Sequence, residues 1–250
     1  MSEFYVVVPF YNEERGIQAT LDALEAQTDR DFSLILVDNG STDGSADIVR
    51  RFSLRAAAPV TIVVREPQKG TGAAADTGFR HAMARGARWI ARTDADCLPH
   101  RDWVAQLKRG LCARGLEFVA GKIKPRMDEQ LLSPLGQAVL PMMVWVAENF
   151  GRIHRRGPQF KYPYFMAAGN NLAITASLYA RSGGFPRTAI EHAHEDRELS
   201  EKVRTLTTRA AVLPDAIVYN SVRRVRAYGH LNTLRWYRNH GYRPSVVDVR

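Results

Sequence analysis

The sequence has little cysteine: Cys97 and Cys112 are the only two in 250 residues. Neither stands at a metal-ligand spacing, which excludes a disulfide framework and a cysteine zinc site and leaves two reduced packing residues. Long apolar runs are also missing. The best stretch, Leu131 to Phe150, is broken by Pro134, Gln137, Pro141 and Glu148, so it falls short of the ~20 apolar residues that a membrane helix needs. It reads as core or subunit interface, and contact with a lipid surface or a greasy acceptor stays open as the second reading. The opening MSEFYVVVPFYNEE has no basic region followed by an apolar one, so a cytosolic location is expected. There are no internal repeats and no low-complexity tail.

Acidic residues are in deficit, 26 against 35 lysines and arginines, which gives a net charge of +9. An excess of that size points to an anionic partner: nucleic acid, a membrane surface or a phosphorylated small molecule. Charge alone does not choose. With 45% hydrophobic and 24% charged residues, the balance is that of a globular protein, and one domain over residues 1–250 is the simplest organisation.

Short β-branched runs alternate with helical patterns in the first half, the signature of βαβ units and a largely parallel sheet. Strands are predicted at Tyr5–Val8, Leu34–Val37, Val60–Val64, Trp89–Thr93 and Phe118–Ala120. Helices are predicted at Glu13–Gln27, Gly72–Arg85 and Trp103–Arg114. Another is expected to open at Ser41 or Thr42 as its cap and to bury Ile48, Val49 and Phe52. After residue 125 the alternation fades into proline-bearing, aromatic-rich segments such as PQFKYPYF. A strand at Leu172–Ile174 and a helix burying Leu199, Val203 and Leu206 still stand out. The reading is a nucleotide-binding half, 1–125, followed by an acceptor-binding half, 126–250.

Ligands of open parallel sheets sit beyond the carboxyl ends of the strands. Those positions hold Tyr11-Asn12-Glu13, Asp38-Asn39 and Asp94-Ala95-Asp96. Two carboxylates one residue apart at a strand end can hold a divalent cation that shares its shell with substrate phosphates. In isolation, D-x-D is more often a turn with a capping aspartate. Lys69, Gly70 and Gly72 open a helix, where backbone N–H groups and an ammonium suit phosphate. Arg65, ending the third strand, offers the same charge, or is a solvated surface arginine. Asn220 to Arg250 carries seven arginines and one acid, with Tyr228, Trp236, Tyr237 and Tyr242 interleaved. This is either a solvated face or a segment that closes over phosphate.

Six motifs occur in order: VVPFYNEE, LILVDNGSTDGS, KGTGAAADTGF, TDADC, AGNNLAI and HEDRELSEKV. Together they resemble the GT-A glycosyltransferases of family 2 over nearly the whole chain. The resemblance implies the GT-A fold: a Rossmann-like nucleotide-binding half, a mixed, mostly parallel central sheet flanked by helices, and an acceptor-side half. It implies an enzyme that moves a sugar from a nucleotide diphosphate donor to a hydroxyl acceptor, with Mn2+ or Mg2+ as cofactor. UDP is the leading nucleotide, with GDP and dTDP behind it. The acceptor is open among a saccharide, a lipid-linked group and a small metabolite, and so is self-association.

By the same resemblance Pro9, Tyr11, Glu13 and Asp38 face the nucleoside, and Arg65, Lys69 and Gly70 line its pocket. Asp94 and Ala95 lie near the ribose or sugar, and Asp96 holds the metal, with Asp94 and His230 as further candidates. Asn170 and Asn171 stand beside the transferred sugar. Asp196 is the general base of an inverting displacement, with Glu195 orienting the base or the acceptor. Arg223 or Arg224 grips the diphosphate. Asn232-Thr233-Leu234-Arg235-Trp236 resembles the Q-x-x-R-W of processive members with asparagine in place of glutamine, a departure that argues against polymer synthesis. A sugar nucleotidyltransferase would carry a glycine-rich basic loop where FYNEE stands, and an RNA-binding protein would gain nothing from acidic motifs in its pocket.

Overall fold

The structure is a computed structural model describing residues 2–55, 59–129, 157–187, 194–229 and 231–233. Five strands make the first part of the chain: β1 (Phe4–Phe10), β2 (Ser33–Asp38), β3 (Val60–Arg65), β4 (Trp89–Arg92) and β5 (Cys97–Pro99). Helices α1 (Ile17–Glu25), α2 (Ser45–Ser53) and α3 (Thr71–Ala84) connect the first four, and α4 (Trp103–Lys108) follows β5 and runs on into a π-helical turn, Arg109–Ala113. Then come β6 (Phe118–Pro125), β7 (Leu172–Thr175), α5 (Ala176–Ser182), α6 (Glu195–Leu206), β8 (Ala210–Asn220) and α7 (Arg223–Tyr228).

The described strands form one mixed sheet in the order β3-β2-β1-β4-β7-β6-β8-β5. Strands β1 to β4 run parallel, β7 is antiparallel to β4 and β6, and β8 is parallel to β6 and antiparallel to β5. These directions have one consequence for function. The last residues of β1, β2, β3, β4, β6 and β8 and the first of β5 and β7 all reach the same edge of the sheet, where Arg92 pairs with Leu172 and Pro125 with Asn220.

Strand β1, FYVVVPF, is buried throughout because both sheet faces are covered. Its side chains alternate. Phe4, Val6, Val8 and Phe10 join Leu34 and Leu36 against Ile17, Leu21, Val49 and Trp103. Tyr5 and Val7 join Ile35 and Val37 against Ala74, Ala75, Phe79 and Leu199. Each such fully buried aliphatic or aromatic side chain contributes roughly 1.5–3 kcal/mol. Helix α3 lies close to the sheet because Gly78 has no side chain: a Cβ there would stand 2.3 Å from Val7 Cγ1.

Several expectations change. The first helix begins at Ile17, four residues after Glu13, because Glu13 to Gly16 forms a turn in which Glu13 carbonyl accepts from Ile17 N–H. Ser41 and Thr42 cap nothing: Gly44 precedes α2, and both residues turn back to Asn12, with Asn12 N–H donating to Ser41 Oγ and Thr42 N–H to Asn12 Oδ1. The helix expected over Trp103–Arg114 is α-helical only to Lys108. Strand β6 runs five residues beyond Ala120, because an unforeseen neighbour, the 11-residue β8, pairs along it. Pro214 and Asp215 disguise β8 in the sequence. They fall where the register jumps from Gly121↔Leu213 to Lys122↔Ile217, a bulge that takes up the residues that cannot sit in the ladder.

Candidate active site

At the shared edge of the sheet lies a cavity of about 220 Å3. Its walls come from the ends of β1 and β4, the start of α3, the turn before β7, the start of α6 and the turn after β8. Of the residues picked out by sequence, it brings together Pro9, Tyr11, Glu13, Asp94, Ala95, Asp96, Asn170, Glu195, Asp196, Arg223 and Arg224.

Five others do not line it. Asp38 spends a carboxylate oxygen on Ser41 N–H, 2.8 Å away. Arg65 is exposed at the end of the edge strand β3. Lys69 is exposed, with its ammonium 5.8 Å from the centre of the Tyr11 ring, a cation–π contact at the cavity's rim. Gly70 takes φ 134° before α3, a conformation that favours glycine, and donates its N–H to Asn39 Oδ1. Asn171 is fully buried and turned into the protein, accepting from Trp103 Nε1 and donating to the carbonyls of Lys122 and Ala216. His230 lies outside the described residues, as do Leu131 to Phe150 and Arg235 and Trp236.

The sequence reading missed Arg92. This arginine is 1% exposed and ends β4 on the cavity floor, where Nε donates to Asp94 Oδ1 and Nη2 to Glu195 Oε1, each at 3.1 Å. Its guanidinium also stands 5.2 Å from the centre of the Phe185 ring. Gly169 leaves it room, since a Cβ there would come within 2.8 Å of the guanidinium. Burial alone would pull the Arg92 pKa down, but Asp94 and Glu195 more than offset it and hold the group charged. Burial pushes Asp94 and Glu195 up, and Arg92 opposes this without cancelling it. A charged residue closing the otherwise apolar strand WIAR was the available signal.

Asp196 is held differently. One carboxylate oxygen accepts from Gly169 N–H at 3.0 Å and the other from Arg197 N–H at 2.7 Å. Both contacts are backbone donors, so the side chain is fixed in place while each oxygen keeps a further lone pair for the cavity. Glu195, by contrast, is committed to Arg92 and 8% exposed. Asn170 Oδ1 is buried on the cavity wall with no hydrogen-bond donor among the described residues.

Across the cavity, Arg223 binds Glu13 with both terminal nitrogens, at 3.0 and 2.8 Å, and reaches Asp96 Oδ2 at 2.9 Å. The Cys97 thiol donates to Asn220 Oδ1 at 3.2 Å and lies 3.4 Å from Asp96 Oδ1, and burial pushes its pKa up, so it remains a neutral donor. Asn39, which the strand-end positions included, also lines the cavity, and Thr71, His194, Asn220 and Ser221 are lining residues to which sequence reasoning gave no role. They sit at element ends and connections that only the tertiary fold brings together.

Among the described residues no three His, Cys, Asp or Glu side chains are grouped to hold a metal. Asp94 and Asp96 provide two carboxylates, a donor set that suits a hard ion completing its shell with phosphate oxygens and water. No helix among the described residues is long and apolar enough to cross a membrane.

The sequence profile described as Glycosyl transferase family 2 matches residues 5–178. Glycosyltransferase AglE of Haloferax volcanii is 35% identical over 121 residues, which make up 48% of this chain and 38% of AglE. The probable glycosyltransferase YdaM of Bacillus subtilis is 28% identical over 245 residues, 95% of this chain and 55% of YdaM. The chain thus spans about half the length, or less, of these curated relatives. Among solved structures, the mannosyltransferase PcManGT of Pyrobaculum calidifontis in complex with GDP-Man and Mn2+ is similar with a TM-score of 0.66 at 27% identity, covering 93% of this chain and 62% of that one. S. aureus TarS 1-349 in complex with UDP-GlcNAc gives a TM-score of 0.64 at 18% identity, covering 88% and 58%, a likeness of fold.

Proposed function

Since the chain belongs to glycosyl transferase family 2, we propose that it transfers a sugar from a nucleoside diphosphate donor to a hydroxyl acceptor by a single inverting displacement. The observation that carries this reading is the meeting, in one cavity, of the D-x-D carboxylates at the end of β4 with Asp196 at the start of α6. GDP-Man and Mn2+ in PcManGT support a donor of this class and a divalent ion.

In this reading Asp196 accepts the proton of the acceptor hydroxyl as its oxygen attacks the anomeric carbon, and the bond to the diphosphate breaks with its electron pair leaving on the phosphate oxygen. Asp196 suits this task because backbone N–H groups fix it without neutralising it. Glu195 does not, because Arg92 already takes one of its carboxylate oxygens; its role is to keep Arg92 and the floor in place. Mn2+ or Mg2+ held by Asp96, with Asp94 beside it, would neutralise charge on the leaving diphosphate. Arg223 and Arg224 line the same side and add positive charge there. In this reading Tyr11 and Lys69, in cation–π contact at the rim, meet the nucleoside. Apart from Arg223 and Arg224, donor binding falls to residues 1–125 and acceptor binding to 126–250. The anionic donor answers the chain's positive charge, so no nucleic-acid partner is required, and we place the chemistry in the cytosol, with contact at a membrane surface as its outermost extension.

The first test is a thermal-shift titration with UDP, GDP, dTDP and CDP, each with and without Mn2+. Metal-dependent stabilisation by one nucleotide, lost in Asp96→Ala, is expected. Stabilisation by none of them would remove the donor reading. With the donor known, Asp196→Asn should retain nucleotide binding and lower turnover by roughly 100-fold or more, while the product's anomeric configuration, read by NMR, checks inversion.

A further inference from the structure

Arg223 occupies an unusual position for a group assigned to the diphosphate. All its terminal hydrogen bonds within the cavity go to carboxylates: two to Glu13 and one to Asp96. Burial on its own would pull its pKa down, but these two acids outweigh that and keep it charged. The turn that presents it is anchored separately, since Glu129 Oε2 accepts from Ser221 Oγ at 2.9 Å and from Val222 N–H at 3.2 Å. The backbone before Arg223 is therefore fixed independently of where its side chain points.

The Arg223 and Asp96 side chains are 20% and 25% exposed, so water can replace either partner as the contact opens. A divalent ion approaching Asp96 must displace the guanidinium from Oδ2, and a guanidinium freed from Asp96 needs another anion. A nucleoside diphosphate arriving with the ion supplies one, matched to the arginine fork.

We propose that Arg223 is a positioning residue that holds Asp96 in the donor-free protein and is exchanged for the divalent ion when a nucleoside diphosphate enters, so that ion and diphosphate bind cooperatively. This rests on the reading of Asp96 as the residue that holds the ion. Cooperativity of this kind is reciprocal: the nucleotide strengthens ion binding by the same factor as the ion strengthens nucleotide binding.

The test is a titration of the full chain with Mn2+, following the free-ion electron paramagnetic resonance signal, alone and with saturating UDP or GDP. In the wild type, Mn2+ alone should bind weakly and the nucleotide should tighten it roughly tenfold. Arg223→Gln should tighten Mn2+ alone by about tenfold and shrink the nucleotide's effect to less than about twofold. Arg223→Lys, which keeps the charge but not the fork, should show the same change at smaller size, and it decides the matter if the glutamine variant does not fold. A residue that merely braced the fold would lower the melting temperature without strengthening Mn2+ binding. Unchanged or weaker binding of Mn2+ alone in the variants overturns the exchange. If Asp96→Asn abolishes Mn2+ binding while the Arg223 variants leave it unaltered, only the exchange is lost. If Asp96→Asn binds Mn2+ and nucleotide like the wild type, the reading of Asp96 falls and the exchange with it.

Discussion

The cavity contains two arginines that each bridge two carboxylates, one on its floor and one at its side. Arg92 joins Asp94 to Glu195 at 1% exposure, and Arg223 joins Glu13 to Asp96 at 20%. The pairing chemistry is the same and the surroundings differ. On the floor, parting either pair leaves the Arg92 guanidinium short of a partner where water cannot follow, so the bridge is permanent and sets the spacing between the end of β4 and the start of α6. At the side, water and ligand can reach Arg223 and Asp96, so that contact is exchangeable, while Glu13 stays a buried partner of the guanidinium. One arrangement makes a strut and the other a latch, with solvent access as the deciding variable.

The comparison breaks most sharply at Arg92. Arg92→Ala should cost about 3–5 kcal/mol in denaturant unfolding, because it strands the largely buried Glu195 and takes away the partner of Asp94; a cost near that of a surface ion pair would mean that the floor is as exchangeable as the side. Gly169→Ala comes next, at about 1–3 kcal/mol, since the new methyl must push the Arg92 guanidinium aside. Combining the two should cost less than their sum, because the clash disappears with the side chain. Arg223→Ala should cost less than Arg92→Ala, about 1–2 kcal/mol, because solvent already reaches the guanidinium and Asp96 while Glu13 loses a buried partner.

The smallest effect belongs to a control at the opposite edge of the sheet, where Glu117 meets Thr207, Arg209 and Arg181. Burial would raise its pKa, but the Thr207 hydroxyl and the arginines bring it below the ordinary 4.5. A depressed folded-state pKa means that stability present above the ordinary value is lost as pH falls through the folded one. Glu117→Gln should therefore flatten the decline in melting temperature below about pH 4.5, and an unchanged decline would show that this cluster contributes nothing to acid stability.

The positions of the first four strands were legible because they are short, mostly apolar runs between helical patterns, and burial on both faces leaves little else for FYVVVPF to be. The acids after those strands were legible for the same reason: strand ends are readable. Strand β8 was not, since Pro214 and Asp215 sit in its bulge and break the local pattern. Arg92 was hidden because its partners lie 2 and 103 residues away. Asn171 carried the opposite error. Its motif suggested a ligand contact, whereas its amide is spent on Trp103, Lys122 and Ala216, a commitment visible only in three dimensions. Arg65 and Lys69 were placed by charge, and charge does not tell which side of a turn a side chain will take.

The latch also has a consequence for the order in which the protein folds. Arg223 lies 210 residues from Glu13 and 127 from Asp96, so its contacts close very large loops and bear a correspondingly large entropic cost. Strands β1 to β4 can pair with only helix-length connections between them, and they are then in place well before α7 has docked. On the way to the native state Glu13 and Asp96 therefore stand at the sheet edge without their guanidinium, and docking of the last described helix is the event that converts an open acidic edge into a guarded one.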